Sequence, residues 1–322
     1  MPVVTPRYVA VLGPTATGKS SLGLAIAHRY GGEIVNCDST AVYRGFDIGT
    51  DKVPPGEQQG IPHHLIDIAA PTDAYTAARF ALDAAAVIRD IHARRRLPIV
   101  VGGTGLYFRA LRRGLFPGPP ADATLRARLE RIADARGNAW LHRLLARHDP
   151  ASASRIAVAD RKRMIRAVEV WWLTGRALTD HFTDTVAPLP EFETIAVALT
   201  MTLEALTPRL ARRVDAQLAA GLEDEVRALL AQGIPRTARP FGGLVYRQMI
   251  DDIDGLRDRE ATRALIVQEN RHYARRQLIW FRKEPTLGWF DGPGEAAQVQ
   301  ARVFEHLGAR GLHHDGSDVS NG

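Results

Sequence analysis

Gly13-Pro14-Thr15-Ala16-Thr17-Gly18-Lys19-Ser20 is the stretch of sequence that decides the fold. It matches the phosphate-loop pattern G-x-x-x-x-G-K-[ST] and directly follows an apolar run, residues 8–12, that predicts a strand. After it, Leu22, Ala25 and Ile26 recur at the spacing of a helix. A strand, a glycine-rich turn and a helix, in that order, are the context that the motif requires.

The motif predicts a site for a diphosphate or triphosphate. Gly13 and Gly18 let the backbone turn its N–H groups toward a phosphate, and the helix that follows adds its partial positive charge. Lys19 can neutralise the outer phosphate, and the Ser20 hydroxyl can bind Mg²⁺. The pattern does not say which phosphate compound binds or what becomes of it.

Composition and cysteine content narrow the class of protein. The 322 residues are 45% hydrophobic and 24% charged, which is typical of a globular protein with one large or two coupled domains. The single cysteine, Cys37, excludes an intramolecular disulfide and a multi-cysteine metal site, which favours a cytoplasmic location. The sequence shows neither an apolar leader nor an apolar run of membrane-spanning length, so membrane and secreted classes are not expected.

Positive charge is concentrated in two stretches. Residues 121–180 hold twelve Arg or Lys against seven Asp or Glu, and residues 261–283 hold six against one, so each stretch carries +5 in a chain of net charge +6. Two basic patches on a nearly neutral body suggest a polyanionic partner larger than a nucleotide.

Two further strand ends carry polar side chains. Residues 33–37 predict a strand that ends at Asp38, and residues 99–101 predict one that ends in a glycine-rich turn with Thr104. Because ligands bind at the carboxyl edge of an open parallel sheet, Lys19, Asp38 and Thr104 are expected to form one site. From spacing alone, Asp38 is equally well explained as a general base, as a helix cap or as an Mg²⁺ ligand.

Paired histidines invite a metal hypothesis. His63 and His64 begin a predicted short strand over residues 63–68. Further along the chain, a helix is expected over residues 75–96. Adjacent strand residues point to opposite faces and no third ligand is nearby, so we do not predict a metal site there.

A helical insertion is predicted between two strands of the sheet. Proline-rich segments bracket arginine-rich helical patterns at 125–136, 141–148 and 160–173. On the last of these, Lys162, Arg163 and Arg166 form a basic face opposite a buried stripe that includes Met164. A merely solvated face is the alternative. The predicted domains are a first core segment (1–118), the insertion (119–190), the core continuation with C-terminal helices (191–310) and a disordered tail (311–322).

The remaining chain returns to strand and then to helices. Residues 194–199 predict a strand, 206–232 a helix broken at Gly221, 261–283 a long helix and 295–309 an amphipathic helix. Arg271, Arg275 and Arg282 recur along one side of the long helix, together with Leu278.

Six ordered motifs resemble those of the bacterial tRNA dimethylallyltransferase family. They run from about residue 13 to residue 282 and are the phosphate loop itself, Asp38-Ser39 with Tyr43 and Asp47-Ile48-Gly49-Thr50, Gly60-Ile61-Pro62-His63-His64-Leu65, Gly102-Gly103-Thr104-Gly105-Leu106-Tyr107, Arg166-Ala167-Val168-Glu169-Val170, and Arg275-Arg276-Gln277-Leu278-Ile279-Trp280-Phe281-Arg282. Six motifs in order are far more specific than a phosphate loop alone.

The resemblance implies an α/β fold, a P-loop kinase-like parallel sheet with a helical insertion, in a monomeric enzyme. It implies that residues 13–20 hold the diphosphate of dimethylallyl diphosphate with Mg²⁺, and that the acceptor is the N6 amine of the adenine 3′ of the anticodon, position 37 of tRNA. Asp38, Thr104 and Lys19 would be catalytic. The residues implied to face the anticodon stem-loop are Asp38, Ser39, Thr40, Ala41, Thr104, Arg126, Lys162, Arg163, Met164, Ile165, Arg166, Arg275, Arg276, Gln277 and Arg282.

The chain departs from the family pattern at three positions. Ala41 stands where many members have Gln, Val245 where Gly is usual, and Asn270 where Thr often precedes the basic helix.

Three other functions compete with tRNA prenylation. A small-molecule kinase would share the phosphate loop but has no use for two basic helices. An adenylate isopentenyltransferase would share the core motifs and accept a free nucleotide. A non-catalytic tRNA-binding protein would leave Asp38 and Thr104 unexplained.

Overall fold

The computed structural model describes residues 5–312, so the predicted tail from 313 onward lies outside the described residues. Six strands form one parallel sheet: β1 (Arg7–Leu12), β2 (Gly32–Asn36), β3 (His63–His64), β4 (Leu97–Gly102), β5 (Glu193–Thr200) and β6 (Gly288–Asp291). Their order is β3-β2-β4-β1-β5-β6. The phosphate loop follows β1, which lies between β4 and β5 in the interior of the sheet.

Twelve α-helices alternate with or follow these strands in the described residues. They are α1 (Lys19–Tyr30), α2 (Ala77–Ala93), α3 (Gly105–Arg113), α4 (Ala123–Arg136), α5 (Asn138–His148), α6 (Pro150–Arg155), α7 (Arg161–Thr174), α8 (Leu203–Ala219), α9 (Leu222–Ala231), α10 (Leu244–Ile253), α11 (Arg259–Phe281) and α12 (Ala297–Ala309). None of the helices within residues 5–312 is long and apolar enough to cross a membrane.

The central strand shows why the sheet is covered on both faces. Tyr8, Ala10 and Leu12 belong to one hydrophobic cluster, and Val9 and Val11 belong to another. Successive strand residues point to opposite faces, so an apolar run without alternation requires packing on both sides. The α/β class and the parallel sheet predicted from the sequence are confirmed.

The chain divides into two compact units. Of the described residues, the core unit contains 5–112 and 188–312, and the helical unit contains 113–187. The helical unit has its own hydrophobic core, to which α4, α5 and α7 contribute Leu129, Leu141 and Met164 among others.

Several elements differ from those expected. The strand predicted over 63–68 ends at His64, because Leu65 and Asp67 have positive φ values of 61° and 55° and cannot continue an extended strand. The sequence does not predict α3, α6, α10 or β6, each of which has at most ten residues. The predicted break at Gly221 is confirmed, since its φ of 93° separates α8 from α9.

Candidate active site

The phosphate loop is shaped by three residues with positive φ. Gly13 (138°), Ala16 (63°) and Gly18 (79°) turn the backbone between β1 and α1. A Cβ on Gly13 would lie 2.6 Å from the Leu199 carbonyl oxygen, so a larger residue does not fit there. Gly18 caps α1 without a side-chain hydrogen bond, which leaves the first N–H groups of the helix available to an anion.

Lys19 lies inside this loop rather than in solvent. Its Nζ donates a hydrogen bond of 2.7 Å to the Pro14 carbonyl oxygen, which also accepts one of 2.8 Å from the Thr17 hydroxyl. The pKa of Lys19 is lowered to about 8, chiefly by burial and to a smaller extent by Arg213, whereas Asp38 and Asp51 oppose the shift. An anion bound at the loop would replace the lost solvation of this ammonium group.

Two arginines of α8 contact the phosphate loop, and sequence reasoning missed both. Arg209 Nε donates to the Ala16 carbonyl oxygen at 2.7 Å, and Arg213 Nη1 donates to the Thr15 hydroxyl at 2.6 Å. Arg212, between them, also lines the cleft in front of the loop. The three arginines are spaced i, i+3, i+4 on a predicted helix, and this spacing is the sequence feature that could have identified them as one basic face.

Both α8 arginines are also paired with acids. Arg209 Nη2 lies 2.6 Å from Glu295, and Arg213 Nη1 lies 3.2 Å from Asp51. These pairs hold the two guanidinium groups at the phosphate loop before any ligand arrives.

Asp38 follows β2 and is half-buried. Its Oδ1 accepts hydrogen bonds from the Thr40 backbone N–H at 2.8 Å and from the Thr40 hydroxyl at 2.6 Å, with a longer one of 3.4 Å from the Ala41 N–H. Among the described residues, all of the hydrogen bonds found for this carboxylate go to Oδ1. The geometry therefore combines two of the roles left open by the sequence: one oxygen caps the turn, and the other is available for chemistry.

Thr104 lies beside Asp38 at the end of β4. Its hydroxyl oxygen accepts a 3.1 Å hydrogen bond from the Ser39 backbone N–H, and its own N–H donates to the Cys37 carbonyl oxygen at 3.2 Å. Tyr273 on α11 also lines the cleft, and burial, together with the Asp38 carboxylate, raises the pKa of Tyr273, while the Thr104 side chain lowers it. Tyr273 is a site residue that the sequence reading did not select.

Gln277 was expected to face tRNA, and the structure corrects that expectation. It is only 6% exposed, its Oε1 accepts from the Thr15 N–H at 2.9 Å, and its Nε2 donates to the Gly103 carbonyl oxygen at 2.9 Å. Both ends of the amide are therefore used to join the phosphate loop to the turn after β4. The reason is periodicity, because Gln277 follows the buried Asn270 and Ala274 at i+7 and i+3 along α11.

The arginines of the stripe predicted along the long helix are exposed. Arg271, Arg275 and Arg282 are all on the surface, while Leu278, which had been placed in the same stripe, is buried. Arg276 lines the cleft, with its guanidinium 5.6 Å from the centre of the Tyr273 ring.

The helical unit keeps only part of its predicted basic face exposed. Lys162 and Arg163 are exposed; the Arg163 side chain is 72% exposed and its Nη1 lies 3.4 Å from the Asp160 carboxylate. Arg126 and Arg166 form ion pairs of 2.8 and 2.7 Å with the fully buried Glu169 carboxylate.

Met164 and Ile165 were also expected to face tRNA, and this is a second correction. Their side chains are 0% and 3% exposed, in the hydrophobic core of the helical unit. Side chains packed in that core cannot reach a tRNA. They share a sequence motif with Lys162 and Arg163 but pack into the core of the helical unit, while Lys162 and Arg163 are exposed.

A cleft of about 800 Å³ in the core unit contains the predicted chemistry. Its lining residues include Lys19, Ser20, Asp38, Ser39, Thr40, Ala41 and Arg213, and the departures from the family pattern, Val245 and Asn270, line it as well. Its volume suits a small diphosphate together with one base. Phosphate-binding cations and a carboxylate therefore share one cleft.

The residues of this cleft fit a hard divalent cation. Residues 5–312 contain no group of three His, Cys, Asp or Glu side chains placed to hold a metal ion. Mg²⁺ does not need such a group, because it is commonly held by one or two protein oxygens, substrate phosphates and water. The Ser20 hydroxyl and the Asp38 and Asp51 carboxylates line the cleft and are of that type. His63 also lines the cleft, with its Nδ1 2.8 Å from the Ile61 carbonyl oxygen, whereas His64 makes a 2.7 Å contact with Glu33.

Comparison with known proteins gives one consistent result. The model of the IPP transferase family matches residues 41–284. The chain is 44% identical to a tRNA dimethylallyltransferase of Koribacter versatilis, over 93% of this chain and 97% of that one, and 46% identical to one of Solibacter usitatus over the same shares.

Solved structures agree with the sequence comparisons. The full-length tRNA isopentenylpyrophosphate transferase of Bacillus halodurans superposes with a TM-score of 0.70 at 36% identity, covering 95% of this chain and 96% of that one. A eukaryotic dimethylallyltransferase, described as acting on tRNA, gives a TM-score of 0.75 at 25% identity, covering 94% of this chain and 77% of that one.

Proposed function

The chain belongs to the IPP transferase family and prenylates tRNA by dimethylallyl transfer to adenine, and from this premise we propose its substrates and the roles of its residues. The donor is dimethylallyl diphosphate, bound with Mg²⁺, and the acceptor is the N6 amine of adenine 37, the base 3′ of the anticodon. Diphosphate is released. We propose that the enzyme acts as a monomer in the cytoplasm, where tRNA is modified.

The observation that carries this proposal is the shared cleft. Lys19 and the arginines of α8 converge on the phosphate loop, and Asp38 and Thr104 line or adjoin the same space. A kinase can also use a carboxylate, to accept the proton of its acceptor hydroxyl, so the family match and the exposed basic residues are what favour the transferase over a kinase. A carboxylate with one uncommitted oxygen next to a diphosphate cradle is what the alkylation of an amine requires.

The proposed donor site uses the loop from Gly13 to Ser20. Its backbone N–H groups, Lys19 and Arg213 hold the diphosphate of the donor. When bound, Mg²⁺ coordinated by Ser20 and diphosphate oxygens would offset the negative charge that develops on the leaving group. These groups are in place before the reaction, so they stabilise the departing diphosphate without reorganisation.

The proposed reaction forms one C–N bond and breaks one C–O bond. The N6 nitrogen attacks the allylic carbon as the bond from that carbon to the diphosphate oxygen breaks, and diphosphate leaves with the electron pair. Asp38 takes the proton lost from N6, while Thr40 holds the other carboxylate oxygen. Thr104, oriented by the Ser39 N–H, helps to position the adenine.

We propose that tRNA is held by exposed cations of both units. In the core unit these are Arg275, Arg276 and Arg282, and in the helical unit Lys162 and Arg163. A base stacked in the anticodon loop must be turned outward to reach a cleft of this kind, and phosphate contacts provide the grip for that step. We propose residues 119–190 as the segment that binds the anticodon arm.

The decisive experiment is nucleoside mass analysis of tRNA. The protein is incubated with dimethylallyl diphosphate, Mg²⁺ and unmodified tRNA, and in parallel with a transcript that has guanine at position 37. We expect isopentenyladenosine in the first tRNA only. Phosphate transfer from ATP without isopentenyladenosine would favour the kinase, and strong activity on free adenylate would favour the nucleotide-modifying relative.

A further inference from the structure

The side chain of Glu225, near the start of α9, is bound by three consecutive backbone N–H groups of one loop. Glu225 Oε2 accepts hydrogen bonds from Asp47 N at 3.0 Å and Ile48 N at 2.8 Å, and Oε1 accepts a longer one of 3.4 Å from Gly49 N. Three successive N–H groups that converge on one carboxylate form an anion-binding concavity. In this protein the anion bound there is the Glu225 carboxylate.

Two more side chains fix the same loop. The Tyr246 hydroxyl donates to Glu225 Oε1 at 2.6 Å and accepts from Gly49 N at 3.1 Å, and Gln217 Nε2 donates to the Ile48 carbonyl oxygen at 3.0 Å. Tyr246 is itself held in place by Phe46, whose ring centre lies 4.9 Å away. The backbone of residues 47–49 is therefore held from α8, α9 and α10.

The loop leads directly to the diphosphate cradle. Asp51 follows it in a left-handed conformation with φ of 58°, which a non-glycine residue adopts only where its surroundings enforce it. Its carboxylate pairs with Arg213, and Arg213 bonds to the Thr15 hydroxyl of the phosphate loop. A chain of direct contacts thus runs from Glu225 through residues 47–51 to Arg213.

The spacing on α8 matches this arrangement. Arg209, Arg213 and Gln217 are separated by four residues each, so they form one stripe along the helix. The first two contact the phosphate loop, and the third contacts the loop that Glu225 holds. One rigid helix therefore sets the distance between the two loops.

We propose that Glu225 is a positioning residue for the transferase reaction: it holds residues 47–51 so that Asp51 keeps Arg213 directed at the donor diphosphate. The inference rests on the proposed function, because it assigns Arg213 to the donor. It adds a residue that touches neither substrate. A cation held in place at the diphosphate contributes mainly to donor binding, so a substitution of Glu225 should change KM for the donor more than kcat.

The test compares two carboxylates of the same helix. Glu225→Gln keeps the size of the side chain and one acceptor oxygen but removes the charge that the three N–H groups bind. Glu223→Gln is the matched control, because Glu223 is bonded to Arg227 and Arg259 on the surface and not to the loop. We expect Glu225→Gln to raise KM for dimethylallyl diphosphate about tenfold with kcat changed less than about threefold, and Glu223→Gln to change neither.

A double substitution separates positioning from general stability. If Glu225 acts through Asp51, Glu225→Gln should raise KM by less than about twofold in an enzyme that already carries Asp51→Asn, because the ion pair between Asp51 and Arg213 that Glu225 supports is already lost. A merely structural residue would lower the thermal midpoint and leave KM unchanged, or would raise KM equally in both backgrounds; either result overturns the inference.

Tyr246→Phe provides a second route should Glu225→Gln fold poorly. It removes one hydrogen bond from the carboxylate and keeps the ring packing, so KM should shift in the same direction by a smaller factor; no shift would overturn the inference. Wild-type enzyme that forms no isopentenyladenosine would refute the proposed function. An active wild type with unchanged KM in Glu225→Gln would refute only this inference.

Discussion

The core unit and the helical unit use their positive charges differently. At the cleft of the core unit, Arg209 and Arg213 donate to the phosphate loop and are also paired with acids, so their positions are fixed from two sides. In the helical unit, Lys162 and Arg163 are exposed on α7. Fixed cations suit a reaction that needs defined geometry, and exposed cations suit a salt-dependent grip on a polyanion.

Charge in the helical unit also has a structural use. Glu169 is fully buried and accepts hydrogen bonds from the Asp122 N–H, from Arg126 and from Arg166. Arg166 donates in addition to the Pro119 carbonyl oxygen. This group joins α4, α7 and the segment before α4, so it holds the helical unit together rather than facing outward.

The largest effect should come from Asp38 in the core unit. Asp38→Asn removes the proton acceptor but retains an Oδ1 atom for the Thr40 hydrogen bonds. We expect kcat to fall by roughly 10²–10⁴, the usual contribution of a positioned general base, with little change in tRNA affinity. Single-turnover rates and tRNA binding are measured on the same preparations.

Thr40→Ala is the matched control for the turn. It removes one hydrogen bond to Oδ1 but keeps the carboxylate, so its rate should fall far less than that of Asp38→Asn. A collapse of tRNA affinity in Asp38→Asn, with normal turnover of bound substrate, would make Asp38 a binding residue.

The second-largest effect should come from Glu169, and it should be a loss of stability confined to the helical unit. Burial raises the pKa of Glu169, but the hydrogen bonds from Arg126 and Arg166 outweigh it, so the pKa lies below its ordinary value of 4.5. A depressed pKa contributes stability that is fully present above about pH 4.5 and is lost as the pH falls through the folded value. Glu169→Gln should cost about 1–3 kcal/mol at neutral pH and remove this acid dependence.

Hydrogen exchange locates the effect of Glu169→Gln. Amides of α4 and α7 should exchange faster in the variant, while those of β1 and β5 should exchange as in wild type. Equal acceleration in both units would contradict the division of roles between them. At acid pH, where Glu169 is protonated in wild type, the difference between the two proteins should shrink.

The chemistry at strand ends could be predicted from sequence, because it depends on local rules. The phosphate loop, Asp38 and Thr104 each follow an apolar run, and parallel strands bring such ends together at one edge. The arginines of α8 could not be selected in this way. Their role depends on which face of the helix meets the phosphate loop, and that is decided by tertiary packing.

Tertiary packing also explains why neighbouring residues of one helix differ from their predicted exposure. Arg276 and Gln277 are adjacent in sequence, yet the first is exposed and the second is buried between two loops. Met164, Ile165 and Lys162 belong to one motif, but the helical period separates Met164 from Lys162, and Ile165, at i+3 from Lys162, is buried by the packing of the helical unit. The role of Glu225 rests on backbone N–H groups, for which the sequence carries no signal.

The smallest effect should come from the exposed cations of the helical unit, because each phosphate contact changes the salt dependence by less than one unit. Lys162→Ala combined with Arg163→Ala should flatten the slope of log affinity against log salt by about one and a half to two units, if both contact tRNA phosphates. Adding Arg166→Ala should bring the total to about two to three units, with a loss of stability that the double variant does not show, because Arg166 also serves Glu169. The matched control is Arg143→Ala with Arg147→Ala, two exposed arginines of α5 in the same unit.

Binding is measured at several salt concentrations with unmodified tRNA for wild type and the three variants. The KM for the donor is measured alongside, and it should not change because the donor site lies in the core unit. A slope that changes equally in both double variants would mean that net charge alone is sensed. A slope unchanged by the α7 substitutions would leave that face merely solvated and confine tRNA binding to the arginines of α11.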